Sequence, residues 1–193
     1  ENILFAKKLD AKYYTIHPGF RSESIPNLNI KNNNYDFKFS KNVYDYENSF
    51  NNFLESFDII LKYSKKNNVK ILLETEGSVH KYKFLLLQKP IEFFNLIDIY
   101  GNDINFNFNL SHTFLASRVF KFNIIALIKK INNRIKLIEI SHNNKIDDSH
   151  QSLRINSHIL KYLKYINCKN YILEFRNTDD YHIHKSINIL RSL

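Results

Sequence analysis

The chain has 193 residues and a mass of 23.1 kDa, which suits one domain over 1–193. Hydrophobic residues make up 44%, which excludes wholesale disorder, and the lone Cys168 excludes an internal disulfide or a cysteine-based zinc knuckle. Lys and Arg total 28 against 19 Asp and Glu, a formal charge of +9, but the cations are scattered rather than clustered, and the abundant Asn, Ile, Lys, Phe and Tyr are the residues of AT-rich codons.

The predicted elements alternate along the chain. Asn2 to Leu9 has the apolar face of a helix end, and Lys12 to His17 is short, aromatic and β-branched, hence a strand. Pro18 to about Lys41 is polar, Asn-rich and interrupted by Pro26, and is predicted as a long loop. Tyr46 to Lys66 carries Phe50, Phe53, Leu54, Phe57, Ile60 and Leu61 at helical spacing, a stripe expected to pack on the outer face of a sheet. Val69 to Glu74 is a strand, Pro90 to Tyr100 a helix with Pro in its first turn and Gly101 after its end, and Ile104 to Phe108 a strand. Phe122 to Ile131 is a helix, Arg134 to Ile140 a strand, Ser152 to Ile166 a helix, Asn170 to Phe175 a strand, and Asp180 to Leu193 a helix.

Strict alternation of strand and helix points to a parallel sheet with crossover helices. No G-x-G-x-x-G follows a strand and no P-loop occurs, so the expected fold is α/β of the (β/α)8 TIM-barrel kind, with its chemistry at the C-terminal ends of the strands. Only five strands are counted, and the chain opens on Glu1 with no Met, no Trp and three Gly. The expectation is therefore a partial barrel that lacks N-terminal strands and some other residues. Apolar runs such as Phe84 to Leu87 are too short to cross a bilayer, and nothing at Glu1 resembles a signal peptide, so the expected setting is cytoplasmic with no membrane partner.

The strand ends carry the functional expectation. His17, Glu74, Asn109 with His112, Glu139 with His142, and Glu174 all fall at or just past a strand's C-terminal end, and Asp148 and His150 follow in a loop. Barrel geometry focuses such side chains on one axis, with Leu72 and Glu74 inward and Leu73 outward. Converging carboxylates repel unless a cation holds them, and oxygen and imidazole donors suit a divalent ion. Taken singly, each has a plainer role: Glu174 beside Arg176 as a structural ion pair, His150 as a solvated loop residue. His80, His158, His182 and His184 lie away from strand ends and are assigned no role.

Five segments in order resemble the xylose isomerase-like barrel superfamily, which includes sugar isomerases, epimerases and the endonuclease IV group. They are Tyr14-Thr-Ile-His-Pro-Gly19, Ile71-Leu-Leu-Glu-Thr-Glu-Gly77, Phe108-Asn-Leu-Ser-His112, Ile138-Glu-Ile-Ser-His-Asn143 with Asp148-Ser-His150, and Tyr171-Ile-Leu-Glu174. The resemblance implies metal-ligand roles for His17, Glu74, His112, Asp148, His150 and Glu174, with Glu139 a further candidate ligand. The chain departs from the family pattern at Asn109, where the family has Asp, and at Glu139, where it has His. Asn109 and His142 are expected to touch substrate. The expected function is a divalent-metal-dependent (Mn, Zn, Mg or Co) isomerase or epimerase of a sugar or sugar phosphate, with Glu74 and Glu174 transferring the proton alpha to a carbonyl. The alternatives are an endonuclease IV-like phosphodiesterase acting on nucleic acid, and a non-catalytic barrel that binds a ligand through the same rim.

Overall fold

A computed structural model describes residues 1–29, 34–77 and 84–193; His80 lies outside them. Five parallel strands form one sheet in the order β1 (Tyr13–Ile16), β4 (Lys70–Glu74), β5 (Phe106–Asn109), β6 (Ile135–Ile140), β7 (Tyr171–Leu173). Each strand neighbours the next one along the chain except where a hairpin, β2 (Ser22–Asn29) with β3 (Asn34–Val43), is inserted after β1. The result is an α/β half-barrel. Around it stand α1 (Asn2–Lys8), α2 (Tyr46–Lys66), α3 (Pro90–Tyr100), α4 (Leu110–Phe120), α5 (Ile124–Ile131) and α6 (Asp180–Arg191). No helix of the described residues is long and apolar enough to cross a membrane.

Alternation along each strand sorts the side chains into two faces. Ile71 and Leu73, Phe106 and Phe108, and Ile138 and Ile140 are buried in one cluster with Phe57, Phe93, Leu96, Leu115, Leu127 and Ile128 from the helices. The α2 stripe behaves as expected. Phe50, Phe53, Phe57 and Leu61 are buried, Leu54 and Ile60 partly so, and Phe50, Phe53 and Phe57 form a run of aromatic contacts that ends edge-on against Tyr100. The residues between them, Leu72 and Glu74, Asn107 and Asn109, and Glu139, fall on the other face.

Two expectations fail here, and one helix had not been expected. The stretch from Pro18 to about Lys41 is not a loop but largely the hairpin, whose register sets Ser24 opposite Phe39 and Pro26 opposite Phe37. Aromatics at 35, 37 and 39 have the period of a strand, obscured in sequence by the Asn and Pro around them, and a two-stranded edge tolerates Pro. Ser152 to Ile166 is not an α-helix. It is irregular up to a 3-10 turn at Leu160–Tyr165, where Leu160, Leu163 and Ile166 are buried at the three-residue period of that turn. The helix α4 was not anticipated, because all its residues from Leu110 to Ser117 are buried and it shows no amphipathic stripe.

Candidate functional site

Each strand end delivers its residue by a local device. Asn109 closes β5 and caps α4: its Oδ1 accepts from the His112 backbone N–H at 3.1 Å. An N-cap and the third helical residue lie on the same side of the first turn, so the Asn-x-x-His spacing returns His112 to the strand end. The His112 Nδ1 lies 3.1 Å from the Thr75 carbonyl and, as the donor there, leaves Nε2 free to face Asp148. Gly77 makes room for this ring, since a Cβ at that position would stand 3.1 Å from the His112 Cδ2. The loop after β6 is closed by paired backbone hydrogen bonds between His142 and Gln151, and is shaped within by the Asn143 and Asn144 side chains accepting from the backbone of 145–147. His150 sits there at φ 44°, a left-handed conformation costly for a residue with a Cβ, and its carbonyl accepts from the Arg176 N–H beyond β7.

Eight of the nine expected site residues at the strand ends and in the loop, all but His142, meet on this rim. Asp148 Oδ2 lies 3.1 Å from His112 Nε2 and 2.7 Å from His150 Nε2. His150 Nδ1 lies 3.1 Å from Glu174 Oε2. Glu74 Oε1 is 3.6 Å from His112 Nδ1, and Glu74 Oε2 is 3.4 Å from His17 Nε2. The Asn109 amide stands at the centre of the three glutamates. Its Nδ2 donates to Glu174 Oε2 at 2.9 Å, to Glu74 Oε1 at 3.1 Å and to Glu139 Oε2 at 3.2 Å. Glu174 therefore turns to His150 and Asn109 and not to Arg176.

Two residues come to the rim that sequence reasoning passed over. Glu76 is hydrogen-bonded to His17 at 2.6 Å, and Asn107 donates to Glu139 at 2.7 Å. Both sit two residues from a predicted site residue, so the strand period would have found them. His142 is placed differently: its ring packs on His158, 5.4 Å between centroids, and His158 packs in turn on Phe114.

The electrostatics follow from burial against pairing. Burial opposes charge on the fully enclosed His112, yet Asp148, Glu174 and Glu74 outweigh it and hold its pKa well above the usual value. His150 is pushed up to about 9, burial again losing to Asp148 and Glu174. Asp148 is held far below the carboxylate range, because the two imidazoles outweigh its burial. The two glutamates part company. Burial raises Glu74 to about 8, whereas His150, His112 and the Asn109 amide overcome burial and lower Glu174. His17 is raised to about 9, chiefly by its hydrogen bond to Glu76.

Among the described residues, two trios have ligand atoms within 4.8 Å of one another: His112, Asp148 and His150, and Glu74, His112 and Glu174. The first fits a divalent ion. Two imidazoles and a carboxylate are a suitable donor set, the His112 Nδ1 contact with a backbone carbonyl fixes the tautomer that offers Nε2, and Asp148 Oδ1 is buried without a hydrogen-bond partner. The second does not fit, because the Asn109 amide already stands between its two carboxylates.

No protein-family model matches the sequence, and no curated protein matches it. Solved structures do match in shape. A D-tagatose 3-epimerase-like protein aligns with a TM-score of 0.68 at 22% identity, over 99% of this chain and 65% of that one. The 3-keto-D-glucoside 4-epimerase of E. coli gives 0.62 at 12% identity, over 99% and 68%. An AP endonuclease, family 2, from Brucella melitensis gives 0.60 at 12% identity, over 94% and 62%. The chain thus spans 65% of the length of the first of these. Its five-stranded half-barrel matches part of the TIM-barrel fold of these structures.

Proposed function

We propose that the rim is the site of a divalent-metal-dependent isomerase or epimerase acting on a sugar or sugar phosphate by proton transfer alpha to a carbonyl. The observation that carries this reading is the pair Glu74 and Glu174. Both are held by one amide nitrogen, at 3.1 and 2.9 Å, while their surroundings drive their proton affinities apart. Two carboxyls so divided are an acid and a base. Glu174, ionised at neutral pH, takes the proton from the carbon beside the carbonyl. Glu74, which retains its proton to about pH 8, returns one to the resulting enediol. Asn109 keeps both oriented, and His17, exposed over Glu74 and bonded to Glu76, is placed to touch the sugar hydroxyls. A divalent ion held by His112, Asp148 and His150 supplies Lewis-acid polarisation of the sugar carbonyl when bound. The reading carries with it a small-molecule partner and a cytoplasmic setting.

The rival reading is phosphodiester cleavage, favoured by a trio of imidazole and carboxylate ligands that also suits activation of water, and by the +9 charge. Incubation of the full chain with keto sugars such as D-tagatose in heavy water, with Mn, Co, Zn or Mg added, separates the two. We expect deuterium at the carbon next to the carbonyl, and a loss of about 10²–10⁴-fold in exchange for Glu174→Gln. Nicking of abasic DNA with no exchange into any sugar would overturn the isomerase reading.

A further inference from the structure

We propose that the amide of Asn109 takes the place of a cation between Glu74, Glu139 and Glu174, so that the wild-type chain accepts no divalent ion there and this one residue sets the ion count of the rim. Asn109 is wholly buried. Its orientation is fixed from the other end: Oδ1 accepts from the His112 backbone N–H, so Nδ2 must face the carboxylates. Turned over, the side chain would set its carbonyl oxygen among three carboxylates and its N–H groups against a backbone N–H. An amide nitrogen has no free lone pair for a metal, and its two N–H groups already serve three carboxylate oxygens. An ion at this point would have to evict the amide and break the α4 cap, and that cap is what delivers His112 to the neighbouring trio. The two cation positions are therefore linked through one side chain: the orientation that serves the His112, Asp148 and His150 position closes the other.

The inference rests on the proposed metal reading for the ion at His112, Asp148 and His150, but not for the exclusion at the carboxylates. Asn109→Asp tests it. Asp caps a helix as well as Asn does, so the His112 position is retained. A fourth carboxylate then stands among three others and demands a counter-ion. Chains dialysed against Mn²⁺ or Zn²⁺ are compared by elemental analysis. The expected result is one more ion per chain in Asn109→Asp than in wild type, with a melting midpoint that a chelator lowers more than it does for wild type. In the wild-type background, Asp148→Asn should remove the bound ion altogether. Equal counts in Asn109→Asp and wild type overturn the proposal. An ion retained by Asp148→Asn overturns it as well, and that arm stands even if Asn109→Asp does not fold. A count of zero in wild type and one in Asn109→Asp sustains the exclusion while removing the metal reading of the trio.

Discussion

The two faces of one sheet solve opposite problems with adjacent residues. On the helix side, Phe106, Phe108, Ile138 and Ile140 are wholly buried, and the only carboxylate enclosed nearby among the described residues, Glu92, is held by backbone N–H groups of Leu87, Gln88 and Lys89 at the start of α3 and by the Tyr46 hydroxyl. On the rim side, Glu74, Glu139, Asp148 and Glu174 depend on side chains alone: three histidines and the two asparagines of β5. Backbone donors are fixed by the fold and neutral, so Glu92 is a structural cap. Imidazoles titrate and carboxylates compete for a cation, so the rim is expected to answer to pH and, on the proposed reading, to metal. The two sides should therefore fail differently.

The largest effect belongs to the apolar side. Phe57→Ala should lower unfolding free energy by about 3–5 kcal/mol, seen as a shift in denaturant midpoint, while the protein still folded takes up metal as before. A loss below about 1 kcal/mol would mean the α2 stripe is not core. Next comes Asp148→Asn, which leaves two buried imidazoles facing a neutral group. It should cost about 1–3 kcal/mol without metal and abolish any rise in melting temperature with added ion. If the ion still stabilises the variant, the trio is not its seat. Smaller still is Gly77→Ala, whose new Cβ meets the His112 ring at 3.1–3.3 Å. It should cost about 1 kcal/mol or a little more and weaken metal affinity with it, measured by titration. Unchanged affinity would show that the ring can yield without leaving its place.

The smallest effect is a pH slope above neutrality, to which Glu74 and His150 of the rim contribute with one sign. The folded pKa of Glu74 is raised to about 8, so the folded chain binds more protons than the unfolded one from the ordinary carboxylate range up to that pH. His150, raised to about 9, contributes stability present below its unfolded value of 6.5 and lost as pH rises through 9. Both have the same sign, so the metal-free melting midpoint should fall steadily between pH 6.5 and 9. Asp148 works the other way, its contribution lost only as strong acid protonates it. Glu74→Gln should flatten the slope. With a divalent ion present the slope between pH 5 and 8 should reverse, because imidazole ligands bind metal only when deprotonated. An unchanged slope in Glu74→Gln would assign the titration elsewhere.

Legibility in the sequence followed the same division. The five strands of the parallel sheet were readable because alternation and β-branching are local, and the residues at their ends could be lined up by counting, whereas the β2–β3 hairpin was hidden by its Asn and Pro. The resemblance to xylose isomerase-like barrels rested on those same positions, and the structural matches bear out the fold. What escaped were features set by partners far along the chain. The helix α4 is buried on every side and so lacks a stripe, and Asn109 could be marked as a departure but its three carboxylate partners lie 35, 30 and 65 residues away. The His142 ring packs on His158 because the loop after β6 closes on Gln151, a bond that leaves no pattern in the sequence.

The central claim is that the rim, and not the sheet as a whole, was shaped around one divalent ion on His112, Asp148 and His150. The most direct test is the melting midpoint of the full chain with Mn²⁺, Zn²⁺, Co²⁺ or Mg²⁺ titrated against a chelated reference. At a hundredfold excess over Kd, binding to the folded state adds about 2.7 kcal/mol, which for a chain of this size raises the midpoint by about 5–10 °C. We predict that rise for at least one of the four ions in wild type and none in Asp148→Asn. A midpoint that none of them moves would contradict the account and leave the rim as a set of internally compensated charges.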